Sequence, residues 1–200
     1  MVSVRHSYCR AALRQVCGRA PACPTVNGMS DRLRTLLLLR HAKSDYPDGV
    51  VDHDRPLASR GVREAALAGD WIRSTIGDID AVLCSTATRT RQTLEQTGIT
   101  APVQFVDRIY DATAGILIEE VNGAQARFGE DVSTLLVIGH EPVMSSVALG
   151  LADERSGNGP VADKISAKYP TSSVAVLRSS APWEQWALRG AELIDFHTAR

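Results

Sequence analysis

A chain of 200 residues, 44% hydrophobic and 22% charged, suits one ordinary domain with a sizeable core. Its formal net charge of -1 excludes the global basic footprint of a nucleic-acid binder, so any anion site is local. No apolar run approaches the roughly 20 residues that cross a bilayer, and four cysteines without a C-x-x-C pair argue against a disulfide framework or a zinc ribbon and for a reducing, cytoplasmic setting.

Residues 1–30 differ from the rest. Arg5, Arg10, Arg14 and Arg19 occur before the first acid, Asp31, and Pro21, Pro24 and Gly28 interrupt any helix. No apolar signal region is present. The stretch reads as a tail or a misassigned start, with Met29 as the alternative start, ahead of a targeting segment. Residues 31–200 then form a single domain.

From Arg34 the pattern becomes regular. Residues 35–40 predict a strand whose run Leu36-Leu37-Leu38-Leu39 is apolar on both faces, as in a buried parallel sheet. A polar loop, Asp45 to Pro56, follows. Ser59 is placed to cap a helix over 60–76, with Val62, Ala65, Ala66, Gly69, Ile72 and Ile76 inward. Ala81 to Cys84 predicts a strand that opens into a helix over 85–94 with hydroxyl caps. Val103 to Val106 is a third strand, and a helix over 114–128 is weakened by Gly123. Thr134 to Ile138 is the second fully apolar strand, after which Pro142 favours a helix start running to Leu151. Asp153 to Ala167 reads as a loop, and Ser173 to Leu177 with Trp186 to Leu188 as a hairpin. Alternating strands and helices predict a three-layer α/β/α sandwich, its sheet mostly parallel with an antiparallel edge.

Two of these strands end in histidine, at Arg40-His41 and Gly139-His140. In a parallel sheet both ends share the edge where ligands bind. Arg89, in the first turns of the helix after Cys84, reaches the same edge. Arginine forks match phosphate oxygens, helix N-termini add N–H donors, and an imidazole facing a phosphoryl group is a candidate nucleophile. A cation site built from the two histidines with Asp45, Asp52 or Asp54 is the chemical competitor, opposed by the adjacent arginines. His53 and His197 lack such framing and read as solvated.

These residues carry a resemblance. Leu39-Arg40-His41-Ala42-Lys43-Ser44 resembles the Arg-His-Gly/Ala signature of the histidine phosphatase (phosphoglycerate mutase-like) superfamily. Arg89 with Gln92-Thr93 resembles its second motif, and Gly139-His140-Glu141-Pro142 its third. Arg55-Pro56-Leu57 with Arg60-Gly61, and Tyr169-Pro170-Thr171-Ser172-Ser173, are similar to segments of the short SixA-type phosphohistidine phosphatases. The resemblance covers residues 34–190 and implies His41 as the phosphorylated nucleophile, with Arg40, Arg89 and His140 completing the phosphate pocket. It implies neither metal nor organic cofactor. Larger members carry an acidic proton donor, for which Asp107, with Asp111 close by, has the matching offset. Lys43 and Ser44, next to the nucleophile, are substrate-contact candidates, Lys43 reading equally well as a rim charge.

The expected activity is therefore a metal-independent phosphatase passing through phospho-His41. Its substrate would be phosphohistidine on a protein or, alternatively, a small phosphomonoester, with neither nucleic acid nor membrane as partner. The residues after His41 depart from the mutase pattern. A non-catalytic phosphate- or phosphoprotein-binding module and a metal-dependent hydrolase are the competing expectations.

Overall fold

The computed structural model describes residues 32–129, 132–153 and 159–200; the segment read as a tail lies outside them. The sheet has six strands in the order β3-β2-β4-β1-β5-β6, formed by β1 (Arg34–Arg40), β2 (Ala81–Ser85), β3 (Val103–Val106), β4 (Thr134–Gly139), β5 (Ser173–Ser179) and β6 (Glu192–Thr198). β3, β2, β4 and β1 pair in parallel, whereas β5 runs antiparallel to β1 and β6 antiparallel to β5. This is the expected mostly parallel sandwich.

The four-leucine run is explained by period two. Leu36 and Leu38 join one core with Leu83, Leu135, Val137 and Leu177, while Leu37 and Leu39 join the other with Val82, Leu136, Ile138 and Val176. Both faces are covered, so the four leucine positions of β1 do not tolerate a polar residue. Each leucine, fully buried, contributes about 1.5–3 kcal/mol. One face is covered by α1 (Ser59–Thr75) and α2 (Thr88–Thr97), the other by α3 (Ala114–Asn122), α4 (Ala124–Phe128), α5 (Val143–Leu151) and α6 (Gly159–Ala167).

Several local expectations are corrected. α1 begins at Ser59, with Ala58 at its cap and no side-chain cap bond. Its buried face is Gly61, Glu64, Ala65, Ala68, Gly69 and Ile72, leaving Val62 exposed. The reason is close packing, because a Cβ on Gly61 or Gly69 would lie 2.0 Å from the carbonyl oxygen of Lys43 or Thr97. α2 begins at Thr88, behind Ala87, without a side-chain cap. Its hydroxyls bind carbonyls instead, Thr90 donating to Ser85 and Ala87 and Thr93 to Arg89. The helix expected over 114–128 divides at Gly123. Pro142 is the cap rather than the first residue of α5, behind a cis Glu141–Pro142 peptide.

Two further expectations fail outright. The presumed loop before Ala167 contains α6, which buries only Ile165 and so shows little periodicity. Trp186 to Leu188 is not a strand. Trp183 and Trp186 instead stack with ring centroids 4.9 Å apart, their indoles donating to Val132 and Ala181 carbonyls. The edge strand is Glu192–Thr198. No helix among the described residues is long and apolar enough to cross a membrane.

Candidate active site

The parallel strands deliver their carboxyl ends to one edge. Arg40 pairs with Gly139 across β1 and β4, and the His41 amide donates to the Gly139 carbonyl at 3.0 Å. The next residues of the two chains are therefore neighbours: the His41 and His140 rings lie 5.2 Å apart, inclined by 54°. β2 adds Ser85, whose hydroxyl sits 2.9 Å from His140 Nε2. The Ala42 amide donates to Thr93 Oγ1 at 2.9 Å, fixing the chain just past His41 to α2, and the Ser172 amide donates to the Arg40 and His41 carbonyls.

Both imidazoles are buried, and burial pushes each down to about 3. The guanidiniums of Arg89, Arg40 and Arg55 contribute to that depression at His41, and His41, Arg89 and Arg40 contribute to it at His140, where Asp52 acts in the opposite direction. Near neutral pH both are uncharged. His41 Nδ1 is 2.8 Å from the Ala42 carbonyl. A carbonyl only accepts, so Nδ1 carries the hydrogen and Nε2 keeps its lone pair.

Arg89 is buried at the start of α2. Arg40 is half-buried, its Nη1 donating to the Tyr169 carbonyl at 2.5 Å. The Nε atoms of Arg40, Arg89 and Arg55, and Nδ1 of His140, are buried without a protein partner. The three guanidinium N–H groups are donors and fit an anion better than a cation. No group of three or more His, Cys, Asp or Glu side chains suited to a metal occurs among the described residues.

Lys43 is exposed, its ammonium 5.4 Å from the centre of the Tyr46 ring. Ser44 is buried and accepts a hydrogen bond from Arg55. Asp107 opens a short 3-10 turn after β3 with its side chain exposed. Among the described residues, no hydrogen bond or ion pair joins it to the histidines or arginines.

Three residues escaped sequence reasoning as members of this cluster. Asp52, weighed only as a cation ligand, pairs with Arg89 and Arg55. Arg55 faces Ser44 and stacks 3.7 Å over Tyr46. Tyr110 donates to Asp52 at 2.6 Å and lies edge-on to His140, centroids 5.4 Å apart. His53 is not merely solvated: it is half-buried, touches Asp54 and Thr86, and meets the Tyr110 ring edge-on. His197 stacks on Trp71 at 4.5 Å.

Residues 36–156 match the model of the histidine phosphatase superfamily, branch 1. The chain belongs to that superfamily. Within it, an uncharacterized Mycobacterium tuberculosis protein is 53% identical over 162 residues, covering 81% of this chain and all of that one. Phosphohistidine phosphatase SixA of Escherichia coli is 27% identical over 113 residues, 54% of this chain and 68% of that protein. A solved structure bearing the name of the phosphohistidine phosphatase SixA, from Nakamurella multipartitia, superposes with a TM-score of 0.75 at 37% identity, covering 84% of this chain and 98% of that one. The histidine phosphatase fold and a phosphatase activity are thereby supported.

Proposed function

We propose that this histidine phosphatase is a cytoplasmic, metal-independent phosphatase that hydrolyses phosphohistidine on proteins through a phospho-His41 intermediate. The observation that carries the reading is the pair of buried, uncharged imidazoles 5.2 Å apart, with the guanidiniums of Arg89 and Arg40 close enough to lower both.

His41 Nε2 attacks phosphorus, forming a P–N bond as the bond to the leaving group breaks. Arg40, Arg89 and His140 bind the phosphoryl oxygens and stabilise their charge during in-line transfer. The leaving imidazole keeps the electron pair of its P–N bond and departs as a neutral ring, having been protonated on its other nitrogen beforehand. Water then attacks phospho-His41, releasing inorganic phosphate and restoring the imidazole. An imidazole leaving group departs readily once protonated, so phosphohistidine asks less of an acid catalyst than an alkyl ester does. That agrees with the exposed place of Asp107, the expected donor. Lys43 lies at the rim, where it meets the substrate, and the buried Ser44 braces Arg55. The similarity to proteins named phosphohistidine phosphatase supports the same substrate class.

The test is turnover of a phosphohistidine peptide, a phosphoserine peptide and a small sugar phosphate in excess EDTA. The wild-type chain is expected to show its highest kcat/KM on the phosphohistidine peptide, and His41→Ala to show none. Undiminished turnover by His41→Ala removes the mechanism. Phosphate binding without turnover by the wild type leaves a binding module.

A further inference from the structure

We infer that Asp52 is a positioning residue of this pocket, holding Arg89, Arg55 and Tyr110 in the arrangement that receives the phosphoryl group. The inference rests on the phosphatase reading above and extends it to a residue outside the superfamily signature motifs.

The geometry is that of a clamp. Arg89 presents five N–H donors in a rigid fork. Two atoms of that fork are held by one residue: Nη1 donates to the Asp52 main-chain carbonyl at 2.6 Å, and Nη2 to Asp52 Oδ2 at 3.1 Å. The Arg89 Nε, buried without a protein acceptor, is left for an anion. The same carboxylate reaches two other chain segments. Oδ1 accepts from Arg55 Nη1 at 3.0 Å, and Arg55 Nη2 in turn donates to Ser44, three residues past the nucleophile. Oδ2 also accepts the Tyr110 hydroxyl at 2.6 Å, and the Tyr110 ring lies edge-on against His140. One side chain thus ties the loop after β1, the start of α2 and the turn after β3 around the two histidines.

Nothing apolar accounts for Asp52 standing here. It opens a 3-10 turn over Asp52–Asp54 that buries no residue, and its side chain is 56% exposed. The polar contacts hold the turn against the pocket, so altering the carboxylate disturbs the site and not the core. The hydrogen bond from Tyr110, with the charges of Arg89 and Arg55, keeps the Asp52 carboxyl below its ordinary range. It is therefore a fixed anion rather than a proton source. An anion behind the arginine fork keeps the fork from turning toward other acceptors, while Arg40, Arg55 and Arg89 together still outweigh its charge. Preorganisation of this kind acts on kcat, because the donors need no rearrangement in the transition state.

The decisive comparison is Asp52→Asn against wild type, alone and in an Arg89→Ala background, with phenyl phosphate and 4-nitrophenyl phosphate as substrates and the unfolding midpoint measured in parallel. Asparagine keeps the shape and one acceptor oxygen and removes the charge. The expected result is a kcat loss of about 10- to 100-fold, equal for both leaving groups, with an unchanged midpoint and little further loss once Arg89 is gone. Restoration of part of that loss by Asp52→Glu also supports the clamp. Wild-type kinetics in Asp52→Asn overturn it. So does a loss concentrated on phenyl phosphate, which marks a proton donor, and so does a full loss persisting in the Arg89→Ala background. A kcat loss that tracks a lowered midpoint overturns it in favour of a purely structural role. If the wild-type chain turns over neither of these esters nor the phosphohistidine peptide, or His41→Ala matches it, the phosphatase reading itself falls, an outcome distinct from wild-type turnover that Asp52→Asn leaves untouched.

Discussion

In the proposed mechanism, His41 is prepared for attack by two neighbours acting differently. The Ala42 carbonyl fixes which nitrogen holds the hydrogen, and burial removes the charge that would quench the other. An exposed histidine titrates at 6.5 and loses its nucleophilic form below that pH. Here the pKa is depressed to about 3, so the neutral imidazole persists as pH falls through 6.5. The acid limb of kcat/KM, which reports the free enzyme, is therefore expected well below 6.5 after the ionisation of the substrate phosphoryl group is taken into account. A pH–rate profile with an enzyme limb at 6.5 would contradict this. At this scale Arg40, His41, Arg89 and His140 were legible because each sits at or just beyond a strand end, a position that hydrophobic runs reveal. Asp52, Arg55 and Tyr110 were not. Asp52 meets Arg89 across 37 residues and Tyr110 across 58, and no local pattern signals contacts of that range.

Helices hold the strand-end residues in place through close backbone approaches. α1 touches the chain after His41 at Gly61 and the end of α2 at Gly69, each with a carbonyl oxygen 2.0 Å from where a Cβ would stand. Alanine at either position must push the helix away, and overpacking of this kind costs about 1–3 kcal/mol, more than the roughly 1 kcal/mol gained in helix propensity. The two sites separate stability from catalysis. Gly69→Ala is expected to lower stability in urea by up to about 2 kcal/mol net with kcat retained, because Thr97 lies at the far end of α2 from Arg89. Gly61→Ala is expected to lower both, because Lys43 is two residues from His41. Equal kcat in the two folded variants would show that the α1 contact at Lys43 does not position His41. Ala65, Gly69 and Ile72 are buried as periodicity indicates, and these contacts explain the rest of the α1 face: Gly61 and Glu64 are buried for close approach and for the 2.6 Å pair with Arg60, not for hydrophobicity. α6 was missed for the converse reason, since a helix burying one residue leaves almost no pattern.

Strand order turns these local arrangements into one molecule. With β4 lying between β2 and β1, His140 is placed between Ser85 and His41, and alternation of strands with helices was enough to foresee the parallel pairing that does this. The last edge strand was misplaced because the tryptophans before it are anchored by their indole N–H groups rather than by strand pairing. Placing two uncharged imidazoles inside the sheet edge has a consequence for the whole fold. His41 and His140 each have a folded pKa of about 3 against an ordinary 6.5. Below 6.5 the unfolded chain binds more protons than the folded one, so stability is fully present above 6.5 and is lost as pH falls from there toward 3. Each group contributes a slope of up to about 1.4 kcal/mol per pH unit within that window. Carboxylates also titrate in its lower part, so the histidine share is read by difference: urea unfolding of the wild type and of a His41→Asn/His140→Asn variant at about pH 7.5, above the window, and at about pH 6 and 5, within it. The wild type is expected to lose stability across this series and the double variant to lose distinctly less. Parallel slopes would mean that the two imidazoles take up protons in the folded state, and with them would go the uncharged nucleophile on which the proposed chemistry depends.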